Sequence, residues 1–527
     1  MKVLVSDPLA EEGLRILKEE RDLEVDIKLK QPEEALKEII KDYDALIVRS
    51  ETRVTAKIIE NADKLKVIGR AGVGLDNIDV EAATKKGIIV MNAPEGNTIS
   101  TAEHTLSLML ALSRNIPQAD ASLKKGEWER KKFMGVELYG KVLGIVGLGR
   151  IGREVAKRAL SFGMKVIAYD PYLAEEKARE LGIDLVERDY LFKQSDYITF
   201  HVPLTEETKN MVSEKEFRLM KKGVRIINCA RGGIIDELAL AKAISEGVVE
   251  GAALDVFAKE PPQDSPLLKL DKVIVTPHLG ASTEEAQINV SIDIAQQVKD
   301  VLLGKGIRNA VNFPSLESHL LKLLKPYLNL AEKLGAMHTQ LSQGHIKEVR
   351  IRYIGETWGR LDTQPLTIAL IKGMLFPILQ ETVNFVNAPF IARERGIKIN
   401  EAKTTEVEEF AQAISVEMLT DKVNNTLTGT LFVDNSARIV KINEFYVEAI
   451  PQGVMLILYN WDRPGVVGNI GTILGKNKIN IAGMTFGREK PGGRAITVLN
   501  VDNHVPENVL QQLKNTENIL DVKLIKL

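Results

Sequence analysis

The chain has 527 residues, 44% of them hydrophobic and 27% charged, with 70 basic side chains against 72 acidic ones and a formal net charge of -2. That length allows roughly three or four domains with separate cores. The charge balance excludes a nucleic-acid footprint, which needs a basic excess on one face. The most apolar helical stretch, around Leu106 to Leu112, is bounded and broken by His104, Ser107, Ser113 and Arg114 and is too short for a bilayer span.

From Met1 to about Ile99, short β-branched runs (Lys2 to Ser6, Ala45 to Val48, Lys66 to Ile68, Ile88 to Met91) alternate with helical patterns such as Pro32 to Ile40. Such alternation predicts a parallel sheet with crossover helices. Ser100 to Arg114, with Asn97-Thr98 as its cap, and Ala286 to Leu303 read as two long interdomain helices flanking a hinge. Between them lie six apolar runs: Val142 to Val146, Lys165 to Tyr169, Tyr197 to Phe200, Arg225 to Asn228, Gly251 to Asp255 and Lys272 to Thr276. Six strands suit a full dinucleotide fold.

Past Asn312-Phe313-Pro314-Ser315 the pattern becomes mixed helix and strand without a catalytic signature, and Arg438 to Ile442 alternates as a half-buried antiparallel strand does. The tail, Val454 to Leu527, reads strand, helix, strand, strand, helix, strand, a ferredoxin-like order. The expected organisation is a substrate domain over 1–98 and 287–312, an inserted Rossmann-type domain over 99–286, a third domain over 313–451 and a fourth over 452–527. The only cysteine, Cys229, precludes an intrachain disulfide, and the chain opens on the strand-like Lys2-Val3-Leu4-Val5 rather than on a leader pattern. A reducing cytoplasm is therefore expected.

The strand Lys141 to Val146 runs into Gly147-Leu148-Gly149-Arg150-Ile151-Gly152 and then the helical Arg153-Glu154-Val155-Ala156. In this order Gly147 permits the tight turn, Gly149 lets backbone approach a pyrophosphate and Gly152 allows close helix packing. The pyrophosphate then sits at the helix N-terminus, where unpaired amides and the helix dipole favour negative charge. The next strand ends at Tyr169-Asp170, and an acid there accepts from both ribose hydroxyls and repels a 2′-phosphate. NAD is expected over NADP. Gly72-Val73-Gly74 also follows a strand but lacks a third glycine, which suits backbone near nicotinamide or substrate.

Hydride transfer between a 2-hydroxy acid and a 2-oxo acid needs a cation on the carboxylate and carbonyl and a group that exchanges the hydroxyl proton. Beyond the carboxyl ends of the strands stand Arg231, Glu260 and His278. A histidine titrates near neutrality, and a nearby carboxylate such as Glu260 raises its pKa. His201 also follows a strand, so placement alone leaves the two histidines evenly matched.

Val142 to Gly152, Asn228-Cys229-Ala230-Arg231-Gly232-Gly233, Leu254-Asp255-Val256-Phe257 with Glu260-Pro261, and Pro277-His278-Leu279-Gly280 together resemble the D-isomer-specific 2-hydroxyacid dehydrogenases. Gly69 to Asp79, Trp128 to Gly135 and the two C-terminal domains narrow the resemblance to the long-form members that act on 3-phosphoglycerate. It implies a Rossmann-type doubly wound NAD domain inserted in a flavodoxin-like substrate domain, followed by two α+β regulatory domains, the last an ACT domain. It implies a catalytic trio of Arg231, Glu260 and His278, against His201, and oxidation of 3-phosphoglycerate to 3-phosphohydroxypyruvate at the entry to serine synthesis. Cofactor contacts fall on Gly147, Gly149, Arg150, Ile151, Gly152, Asp170, Val202, Cys229, Ala230, Arg231, Asp255, His278, Leu279, Gly280 and Ala281. Val73 joins them, although Val73 and Val202 stand where relatives often carry threonine, which leaves backbone contacts there. Arg49, Arg70, Gly72 and Gly74 are implied for the substrate's phosphate and carboxylate. In the tail, Asp462, Gly465 and Asn480 are implied for an amino-acid effector such as L-serine. A homodimer or homotetramer is expected, without metal, nucleic acid or membrane. A hydroxypyruvate or glyoxylate reductase is a rival, though such relatives generally lack the two last domains, and so is an NAD-sensing corepressor-type binding protein.

Overall fold

The computed structural model describes residues 1–316, 318–379, 383–406 and 410–527. Five parallel strands, β1 (Lys2–Val5), β2 (Glu24–Ile27), β3 (Ala45–Val48), β4 (Val67–Arg70) and β5 (Ile89–Asn92), lie in the order β2-β1-β3-β4-β5. This is the flavodoxin-like order. The inner strands are continuous apolar runs because both faces are covered. Ala45 and Ile47 pack with Leu14, Leu17, Ile294 and Val298, whereas Leu46 and Val48 pack with Leu36, Ile58 and Ile59. The strand β2 is absent from the sequence reading. Its Glu24 and Ile27 are exposed at the sheet edge, so it carries no apolar run to detect.

The second sheet holds β6 (Val142–Val146), β7 (Lys165–Tyr169), β8 (Asp184–Leu185), β9 (Tyr197–Phe200), β10 (Val224–Asn228), β11 (Val249–Leu254) and β12 (Val273–Val275). Its order, β12-β11-β10-β9-β6-β7-β8, reverses direction between β6 and β9, and that switch point opens the crevice expected of a dinucleotide fold. Here too the unforeseen strand is an edge: β8 has two residues, one of them exposed. The helix Thr98–Arg114 leads into this sheet, and Glu284–Leu302 returns to pack on the first one. Asn97 precedes the first of these helices, but its side chain makes no capping bond and instead lines the cleft described below.

A third sheet, ordered β14-β13-β15-β16-β17-β18, comprises β13 (Ile346–Ile354), β14 (Lys398–Thr404), β15 (Ala413–Thr420), β16 (Asn424–Leu431), β17 (Ala437–Ile442) and β18 (Phe445–Ala449). Only the β13–β14 pairing is parallel, and the helices Ser318–Leu341 and Gln364–Leu379 cover the sheet around Trp358 and Tyr353. The fourth sheet, β20-β21-β19-β22, comprises β19 (Val454–Trp461), β20 (Ile481–Arg488), β21 (Arg494–Val501) and β22 (Ile519–Lys526). Period-2 alternation splits its two faces. Leu456 and Leu458 meet the sheet's own helices, while Met455 and Ile457 join the core of the third sheet. Among the described residues, no helix is long and apolar enough to cross a membrane.

Candidate active site

The glycine-rich turn after β6 takes the form that its sequence dictates. Gly147 has φ +92°, and a Cβ there would lie 2.7 Å from both the His201 carbonyl oxygen and Val202 Cγ1. The helix Arg150–Ser161 then starts from Gly149 without a side-chain cap, and a Cβ on Gly149 would meet nothing within 4 Å. Its first amides therefore face open space, the arrangement that receives a pyrophosphate. Asp170 directly follows β7 and accepts from the backbone N–H groups of Leu148 (2.9 Å) and Tyr172 (3.0 Å), which ties the acid to the glycine loop. Arg150 is exposed, 3.9 Å from Glu95, and Ile151 is half-buried on the same helix. The residues present thus fit a dinucleotide.

Across the crevice, a 680 Å³ cleft opens between the first and second sheets. Arg49, Arg70 and the loop Gly72-Val73-Gly74 form one wall; Arg231, Glu260 and His278 form the other. Asn228 braces the turn after β10, accepting from the Ala230 N–H and donating to the Arg231 carbonyl, so that Arg231 projects toward Asp76 at 3.3 Å. Arg49 and Arg70 each bury an Nε without a hydrogen-bond partner. Burial, with Arg231 adding like-charge repulsion, pushes the Arg70 guanidinium down to about 10, and burial likewise lowers Arg49. Desolvated cations with unpaired donors are an anion site.

His278 sits in the left-handed region at φ +57°, and its Nδ1 lies 2.9 Å from Glu260 Oε2. The hydrogen bond to Glu260 raises the imidazole pKa above its ordinary value, against the opposing effect of burial. For Glu260, burial pushes the carboxyl upward, but the hydrogen bond and charge of His278 outweigh it and hold the group below its usual range. With Nδ1 engaged, Nε2 is the ring nitrogen left for chemistry. The competing histidine is different: burial pushes His201 down to about 3, its Nε2 meets Thr199 Oγ1 at 3.1 Å and its Nδ1 is buried without a partner. It stays neutral at physiological pH.

Four residues stand otherwise than their implied contacts suggest. The Cys229 thiol is buried and pushed up to about 12, so only the backbone of its turn is available. Asp255 is wholly buried and accepts from Leu279 N–H, Gly280 N–H and the Thr276 hydroxyl, acting on the loop of Leu279, Gly280 and Ala281. In the fourth sheet Gly465, at φ +92°, opens the helix Val466–Lys476 to space, but Asp462 already pairs with Arg488 at 3.0 Å and Asn480 with Asp502 at 2.6 Å. Both effector candidates are satisfied inside the chain because charged partners lie on neighbouring strands and loops. Sequence reasoning missed Asp76, Asp7 and His104. Asp7 holds the Arg49 backbone N–H at 2.6 Å, and no motif marks any of the three.

Comparison with known proteins matches the geometry. Residues 106–280 match the NAD binding domain of D-isomer specific 2-hydroxyacid dehydrogenases, residues 323–443 the D-3-phosphoglycerate dehydrogenase intervening domain and residues 454–518 the ACT domain. A solved D-lactate dehydrogenase from Aquifex aeolicus, in complex with NAD and lactic acid, is 32% identical, with a TM-score of 0.54 over 60% of this chain and 100% of that one. Fold and site therefore define an NAD-dependent dehydrogenase of the D-2-hydroxyacid class. The D-3-phosphoglycerate dehydrogenases of Methanocaldococcus jannaschii and Bacillus subtilis are 50% and 45% identical, covering 100% of this chain and 100% and 99% of their own. The chain belongs to the D-3-phosphoglycerate dehydrogenase family.

Proposed function

We propose that the cleft oxidises 3-phospho-D-glycerate at C2 to 3-phosphohydroxypyruvate, the first step of serine synthesis, in the cytoplasm. The observation that carries this reading is the pairing of a hydrogen-bonded histidine–carboxylate couple with Arg231 on one wall and two partly desolvated arginines, Arg49 and Arg70, on the other. Two separate cationic seats suit a substrate with a carboxylate at one end and a phosphate at the other.

Arg231 takes the substrate carboxylate and C2 oxygen in exchange for its 3.3 Å contact with Asp76. His278 Nε2 receives the hydroxyl proton, and Glu260, bound at Nδ1, stabilises the imidazolium that forms. Arg49, Arg70 and the Gly72 to Gly74 backbone hold the phosphate. Bound at Gly147 to Gly152 and Asp170, NAD supplies the hydride acceptor. The amide groups of the Arg150–Ser161 helix and the carboxylate of Asp170 orient it, and that carboxylate repels a 2′-phosphate. NADH formation with 3-phosphoglycerate, compared with glycerate and D-lactate, tests the reading. Turnover with 3-phosphoglycerate at least tenfold above the two phosphate-free acids is expected, and equal rates would overturn it.

L-Serine is the effector assigned to the last domain, and the protein acts as a homodimer or homotetramer. Serine must favour one arrangement of the hinged domains to affect turnover, since equal affinity for both shifts nothing. Calorimetry at millimolar serine and light-scattering mass test these two statements. Absence of heat would remove the first, and a monomeric mass the second.

A further inference from the structure

We propose that His104, on the interdomain helix Thr98–Arg114, is a positioning residue that holds the His278 loop in its working conformation through Asp255. The inference rests on the reading of His278 as the proton acceptor. His278 is not a glycine yet has φ +57°, a conformation that persists only where surrounding contacts over-determine it. Those contacts converge on Asp255. Its backbone carbonyl accepts from the His278 N–H at 2.9 Å, while its carboxylate accepts from Leu279 N–H at 2.7 Å, Gly280 N–H at 2.8 Å and the Thr276 hydroxyl at 2.6 Å.

A wholly buried carboxylate needs such donors to remain charged. Burial pushes Asp255 upward, and the hydrogen bonds, that of His104 first among them, outweigh it. His104 Nε2 lies 3.2 Å from Asp255 Oδ1 and 3.1 Å from Thr276 Oγ1. The Thr276 hydrogen is committed to Asp255, so Nε2 faces two acceptors and carries the proton. One turn earlier on the same helix, Thr101 donates to the Gly280 carbonyl at 3.2 Å. The helix that leads from the substrate domain into the dinucleotide domain is therefore fastened at two points to the segment carrying His278.

His104→Phe keeps most of the volume and deletes the donor, whereas His104→Gln returns an N–H donor near the Nε2 position. In the full-length protein the Phe variant is expected to lose turnover by roughly tenfold to a hundredfold, the scale of a small misplacement of a reacting group. KM for both substrates should stay within about threefold, and the acid limb of the oxidation profile should move to lower pH as the His278–Glu260 pair loosens. The Gln variant should recover most of the turnover and the position of the limb. A Phe variant with unchanged turnover and limb, or a Gln variant as impaired as the Phe variant, overturns the inference. Should His104→Phe melt below the assay temperature, Thr276→Val deletes the hydroxyl that contacts both His104 and Asp255 and must give the same kinetic signature. His278→Gln is measured alongside: a limb that survives this substitution overturns the reading of His278 itself. A limb abolished by His278→Gln but indifferent to His104→Phe overturns only the fastening.

Discussion

Replacing Glu260 by Gln removes the charge that faces His278 Nδ1 at 2.9 Å while keeping shape and a hydrogen-bonding group. The two side chains are 39% and 50% exposed, so solvent screening sets the scale of their attraction. Unit charges at that separation in a water-like dielectric attract by ~1.4 kcal/mol. Oxidation needs the imidazole neutral to accept the hydroxyl proton, so activity rises with pH through the raised pKa of His278. In Glu260→Gln that rise should begin at lower pH, and the maximal rate should drop because the imidazolium formed in the reaction loses its counter-charge. The same pair contributes to stability within a window. Its His278 part is fully present below the ordinary histidine pKa and is lost as pH rises through the raised folded value. Its Glu260 part is present above the ordinary carboxyl pKa and is lost as pH falls through the lowered folded value. The assay is kcat/KM for 3-phosphoglycerate against pH at saturating NAD, with melting temperature recorded across the same range. An acid limb that stays in place, or moves to higher pH, would refute the argument that Glu260 charges His278.

His278→Ala should reduce turnover by a factor on the order of 10² to 10⁴ with NAD binding retained, whereas His201→Ala, which removes a neutral and buried ring, should act chiefly on melting temperature. Steady-state kinetics with calorimetric NAD titration separates the two, and reversed losses would contradict the assignment. Gly147→Ala places a methyl 2.7 Å from the His201 carbonyl oxygen at φ +92°, so NAD affinity measured by fluorescence should weaken by about fivefold or more, as strain of roughly 1–3 kcal/mol requires. Unchanged affinity would show that the turn tolerates a side chain. The Cys229 thiol, buried and pushed up to about 12, should resist thiol-specific reagents in the native protein at neutral pH and react at once in denaturant. Rapid native labelling would show that the turn opens.

Sequence alone determined whatever depends on local periodicity and on chemistry held within a few residues. The turn Gly147 to Gly152 announces its strand and helix because its glycines serve a backbone path that other residues cannot follow. The central strands are legible as apolar runs because both faces are buried, while β2 and β8, at sheet edges, lack that demand and were not detectable. Which histidine does the chemistry was a different kind of question, since His201 and His278 both follow strands. Tertiary structure decided their electrostatics, bringing a carboxylate from 18 residues away to one ring and burying the other without a charge partner. Arg49, Arg70 and Arg231 come from three separate strand ends, and only the packing of the two sheets against each other brings them to one cleft. His104 and Asp255, 151 residues apart in the chain by subtraction of their numbers, meet for the same reason. A side chain's pKa and partners depend on distances through space, and chain spacing constrains those distances only within a turn of helix or a pair of neighbouring strands.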